Sequence, residues 1–121
     1  MNCIVPKPFY EGLPCSVVSI GCASELLRGT FDYDKIRMFS EQASRNNNYA
    51  TLRSVNEQVR KFFNVKRYTY YTREQRKKLK EFRGITAIIC VLGHFVFLNG
   101  DSYYSFFNNE NDKVVAVWEL V

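Results

Sequence analysis

Helices first and an antiparallel sheet last, an α+β arrangement, is the fold class that this chain predicts. Three observations carry it. Apolar residues recur at helical spacing over residues 15–28 and 51–63, β-branched and aromatic runs fill residues 85–120, and Asn99-Gly100 breaks that second half with a hairpin signal. With 121 residues the chain is expected to be one domain, spanning 1–121, large enough for a core and too small for two. A hydrophobic fraction of 46% and an aromatic fraction of 16% place it among folded rather than disordered chains.

In chain order, Pro6, Pro8 and Pro14 keep residues 1–14 extended or turned. Residues 15–28, CSVVSIGCASELLR, then read as a helix. Val18, Cys22 and Leu26 fall four apart, Val17, Ile20, Ala23 and Leu27 widen the stripe, and Gly29 is a natural stop. Its β-branched residues make it weak by propensity, so burial must hold it, and a central position follows. A second helix is expected over roughly residues 33–44, with Ile36, Phe39 and Ala43 on one face. Residues 44–48, SRNNN, are a loop by composition. Residues 51–63 form a third helix with Leu52, Val55, Val59 and Phe62 at spacings of three and four, and residues 65–71 alternate as a strand. Thr72-Arg-Glu-Gln75 has the shape of a capping box and starts a short basic helix ending near Phe82-Arg83-Gly84. Four strands follow, over 85–92, 94–98, 102–108 and 113–120.

The net charge of +5 is concentrated. Residues 60–83 carry ten Lys/Arg against Glu74 and Glu81, which leaves the remainder mildly acidic. Cysteines stand at positions 3, 15, 22 and 90 without a C-x-x-C pair, and there is one histidine, so a structural zinc site is not expected and no cofactor is implied. The first residues show no basic n-region and no small-residue cleavage site, and the longest apolar run, 85–98, is short of a membrane span. Reduced thiols in a cytoplasmic setting, with no membrane insertion, are the expectation.

Residues 93–109, GHFVFLNGDSYYSFFNN, hold the only imidazole in the chain, His94. Acid–base work near neutral pH would fall to it. A two-residue Asn99-Gly100 loop pairs Leu98 with Asp101 and sets His94 opposite Ser105. Tyr103, Ser105, Phe107 and Asn109 then share its face. A three-residue loop would select Asn108 instead. Of the four cysteines, Cys15 opens a helix directly after Pro14. Unpaired N–H groups and the positive end of the dipole there favour thiolate and could hold an oxyanion. A helix-start nucleophile needs a base, and the base needs a group to orient it.

PCSVVSIGCA around Cys15, the middle segment TLRSVNEQVRKFFNV, and IICVLGHFVFLNG around His94 together resemble papain-like cysteine peptidases, most of all the compact variety that cleaves bacteriocin leader peptides. The resemblance runs from about Tyr10 to the C-terminus. It implies a papain-like fold, with N-terminal helices packed on a C-terminal antiparallel sheet, and hydrolysis of a peptide bond in a peptide or protein substrate through a Cys-His-Asn triad. Carried across, Cys15 is the nucleophile, His94 the base and acid, and Asn109 (alternatively Asn108) orients the ring. The family usually has a glutamine a few residues before the cysteine to complete the oxyanion hole. Residues 1–14 contain none, and Phe9, Tyr10 and Glu11 occupy that neighbourhood.

Two other classes compete. A catalytically impaired interaction module of the same fold would leave Cys15 a buried small residue, the ordinary fate of a free cysteine. A nucleic-acid-associated protein would use the basic stretch 60–83, where Phe62, Phe63, Tyr68, Tyr70, Tyr71 and Phe82 interleave with Lys and Arg. Core-like spacing of the phenylalanines favours a solvated helix face over a nucleic-acid surface.

Overall fold

The computed structural model describes residues 1–29, 34–35, 37–38, 41 and 51–121. Helix α1 (Cys15–Arg28) ends where Gly29 takes the left-handed conformation, φ 65°, and returns its N–H to the Glu25 carbonyl at 3.1 Å. Burial covers residues 16–23, but Leu26 and Leu27 emerge, 46% and 40% exposed. The apolar stripe is therefore used over its first two turns only. Helix α2 (Leu52–Phe62) is capped by the Thr51 hydroxyl, which accepts the Ser54 N–H at 3.2 Å, and it buries Val55 and Val59. The face expected for a helix over 33–44 (Ile36, Phe39, Ala43) and the loop at 44–48 lie outside the described residues.

Strands β1 (Asn2–Ile4), β2 (Val65–Tyr70), β3 (Thr86–Val91), β4 (His94–Asn99), β5 (Ser102–Tyr104) and β6 (Val114–Leu120) form one sheet in the order β1-β5-β4-β3-β6-β2. The class is α+β, but the sheet is mixed rather than wholly antiparallel. Strand β1 runs parallel to β5, Asn2 beside Ser102, with the Asn2 N–H on the Asp101 carbonyl at 2.8 Å and the Ser105 N–H on the Ile4 carbonyl at 3.1 Å. The N-terminus thus satisfies backbone groups on an edge that the hairpin alone would leave open.

Two further expectations are corrected. The Thr72–Gln75 capping box is present, yet it starts only a 3-10 turn (Arg73–Gln75), and a second turn (Leu79–Phe82) replaces the basic helix. The backbone of residues 77–80 bonds across to residues 110–114. Leu79 and Lys80 donate to the carbonyls of Asp112 and Glu110 at 2.9 and 3.0 Å, and Lys77 accepts from Val114 at 2.8 Å. Those bonds compete with any i→i−4 ladder. The hairpin loop is Gly100-Asp101, not Asn99-Gly100, so Leu98 pairs with Tyr103. Asn99 stays in the ladder opposite Thr86, whose hydroxyl donates to the Asn99 side-chain oxygen at 2.9 Å, and Gly100 alone takes the positive φ of 66°.

Alternation then builds two cores. On one face Ile88, Cys90, Phe95, Phe97, Ala116 and Trp118 pack under α1 and α2. On the other, Ala87, Ile89, Val96, Leu98 and Val117 pack with Leu79 and Tyr103, and the Tyr71 and Phe82 rings close over them. Trp118 donates its indole N–H to Asn56 of α2 at 3.0 Å.

Candidate active site

Cys15 is the first residue of α1, and Pro14 before it offers no side-chain cap to the helix N-terminus. The segment leading to it is held by Tyr10, fully buried against Gly21 in the middle of α1. A Cβ on Gly21 would lie 2.6 Å from a Tyr10 ring carbon, so only glycine admits this approach. Tyr10 also donates its hydroxyl to Glu25 at 3.3 Å, and burial, ahead of its acidic neighbours, pushes its phenol well above the ordinary range. Residues 10–14 are thereby fixed across the start of the helix, and Cys15 remains half-buried rather than sealed.

His94 opens β4 directly after the Leu92-Gly93 turn, with Gly93 at φ 76°. Cys15 and His94 line one cavity of about 270 Å³, walled by Leu13, Val18, Phe95, Tyr104, Phe106 and Phe107. The helix thus brings a thiol, and the hairpin an imidazole, to the same opening. Phe107 stands edge-on to the imidazole, ring centres 5.4 Å apart. Burial lowers the His94 pKa from its ordinary value, and the Asp112 carboxylate works against that shift. No hydrogen bond joins the thiol to the ring among the described residues. The ring instead meets the Ser105 hydroxyl, Nε2 to Oγ 3.2 Å.

Ser105, not Asn109, therefore touches the imidazole. Asn109 is buried one group further on: Ser105 donates to Asn109 Oδ1 at 2.6 Å, and Asn109 Nδ2 donates to Asp112 Oδ2 at 2.7 Å. Asn108 is turned to a different task. Its Oδ1 accepts from the Tyr103 hydroxyl at 3.1 Å, and that hydroxyl accepts the Asn109 N–H at 3.2 Å, which pins the loop. The expected parity survives even though the register moved, because the shift was by two residues. Sequence reasoning put Ser105 on the right face without giving it a role, and it passed over Asp112. An acid three residues after Asn109, in a polar turn, was the available signal.

The cavity lining contains no side-chain amide. Burial pushes the Cys22 and Cys90 thiols up to about 12 and about 11, while Cys3 is exposed. Among the described residues, no group of three His, Cys, Asp or Glu side chains could hold a metal ion, and no helix is long and apolar enough to cross a membrane. No protein-family model, curated protein or solved structure matches the chain.

Proposed function

We propose that the chain is a small cysteine hydrolase of papain-like fold that cleaves a peptide bond in a peptide or protein substrate. What supports this most is the shared cavity: a cysteine at a helix start and the only histidine open onto the same space. Burial keeps the imidazole in its neutral, proton-accepting form to a lower pH than a free histidine, though as a weaker base. In the reaction His94 takes the Cys15 proton, and Sγ bonds to the amide carbonyl carbon. The resulting oxyanion is met by backbone N–H groups at the start of α1. The C–N bond then breaks as the His94 imidazolium protonates the leaving amine. A water, deprotonated by His94, attacks the thioester, releases the acid and restores the thiol. The thiol–imidazole contact is expected to close when substrate fills the cavity, as catalytic hydrogen bonds commonly do. With no side-chain amide at the oxyanion, turnover is expected to be roughly 10²–10³ below that of a complete hole.

Tyr104 lines this cavity and also a second, of about 280 Å³, whose lining includes Ile4, Val5, Tyr10, Leu26, Lys7 and Glu25. Two apolar hollows that share a lining residue suit an extended peptide better than a compact metabolite. The basic stretch offers less. Its exposed aromatic Tyr68 already packs against Trp118 at a tilt, with ring centres 5.2 Å apart, and the Tyr70 hydroxyl accepts from Arg76 at 3.4 Å.

The test is iodoacetamide labelling of native protein carrying Cys3→Ala, followed by peptide mapping. The expected result is single-site alkylation of Cys15, slowed roughly tenfold or more by His94→Ala. Equal, slow labelling at Cys15 with and without His94 would favour the non-catalytic module.

A further inference from the structure

We infer that Asp112 sets the tautomer of His94 through a one-way hydrogen-bond relay, Asp112–Asn109–Ser105–His94, that places the neutral ring's proton on Nε2. Each step is forced by what its neighbour can donate or accept. The Asp112 carboxylate is acceptor-only, so at 2.7 Å it must face the Asn109 NH₂ and not its oxygen. That orientation turns Asn109 Oδ1 toward Ser105. At 2.6 Å the Ser105 hydroxyl hydrogen has to lie on that line, because two bare oxygens would repel. Ser105 has then spent its only proton. One of its lone pairs takes the Phe107 N–H at 3.1 Å, and the other is left for His94 Nε2 at 3.2 Å. An acceptor there requires Nε2–H. Nδ1 is left with the free lone pair and is the basic nitrogen of the ring.

Ser105 and Asn109 are 2% and 5% exposed, so water does not readily substitute for either partner. The Tyr103 hydroxyl holds the Asn109 backbone and Asn108 together, which keeps the relay's middle member in place. Ser105, Asn109 and Asp112 are thus positioning residues. The catalytic consequence, Nδ1 receiving the Cys15 proton, rests on the hydrolase reading above, but the tautomer itself does not.

Because His94 is the only histidine, a long-range ¹H–¹⁵N spectrum of the labelled full chain at about pH 8, well above the usual histidine pKa, reports this ring alone. The expected spectrum has a protonated, pyrrole-like Nε2 and a pyridine-like Nδ1. In Asp112→Asn the new amide can present either a donor or an acceptor, so the Asn109 amide is free to turn over. Both tautomers are then expected, with the pyridine-like signal shared between the two nitrogens. Ser105→Ala asks the same question one bond nearer and serves if Asp112→Asn does not fold. A wild-type ring protonated on Nδ1, or a folded variant that keeps the wild-type spectrum, would overturn the relay. Recording the spectra in a Cys15→Ala background separates the two ideas: failure to hydrolyse peptides leaves the relay standing, and a wrong tautomer leaves Cys15 labelling to be judged by itself.

Discussion

At the scale of single residues, burial decides most of the chemistry. Cys22 and Cys90 sit where a thiolate would be stripped of water, and their thiols are pushed up to about 12 and about 11. Both are therefore expected to resist alkylation in the native state and to react fully in urea, while the half-buried Cys15 and exposed Cys3 react first. Mass spectrometry of timed samples checks this ranking. His94 carries the complementary effect. Its folded pKa lies below the unfolded value of about 6.5, so the unfolded chain binds the proton more tightly. Above that value the ring is neutral in both states and contributes nothing. As pH falls through it, the unfolded state takes up the proton first and stability is lost. Urea midpoints measured downward from pH 7 are expected to fall through this window, and the slope is expected to flatten in His94→Gln.

At the scale of elements, the close pairing of α1 with the segment before it holds the candidate site together. Ala is the better helix former by about 1 kcal/mol, which would argue for Gly21→Ala as a stabilising change. The Tyr10 ring carbon 2.6 Å from the added methyl argues the other way, because the fully buried Tyr10 ring would have to shift to admit it. Overpacking of this kind costs about 1–3 kcal/mol, so net destabilisation is expected in denaturant unfolding, with Cys15 labelling altered as residues 10–14 shift. At α2 the Thr51 cap is a simpler case. Thr51→Ala leaves the Ser54 N–H without its acceptor and is expected to cost about 1 kcal/mol with no effect on Cys15.

At the scale of the whole molecule, β3, β4 and β6 are buried on both faces, so the helix-side core and the core under residues 71–85 share the same strands. Neither can melt without exposing the other. Trp118, the only tryptophan, lies in that shared region, and its fluorescence is expected to follow the same urea transition as far-UV circular dichroism. Separate transitions would mean that the two cores unfold independently. The basic stretch is distributed over the end of α2, edge strand β2 and the 3-10 turns, and none of its residues lines the cavity. Reversing Lys77 and Lys78 to Glu is accordingly expected to leave the Cys15 labelling rate within about twofold, since neither side chain lines the cavity and surface charges are screened by salt.

By itself, the sequence determined those features that depend on neighbours along the chain. Apolar spacing marked α1 and α2, Gly29 marked a stop, and runs of β-branched and aromatic residues marked the central strands, because each is a local preference that the fold did not overrule. It also placed Cys15 at a helix start and His94 at a strand start. Tertiary structure decided what depends on partners far apart in sequence: the parallel seat of β1, the 3-10 turns in place of a basic helix, and the hairpin register. Each was settled by where distant backbone groups found their hydrogen bonds. The Ser105 hydroxyl between His94 and Asn109 belongs to the same class. Parity could put those residues on one face, but only the positions of the loop and of Asp112 decide which group reaches the ring.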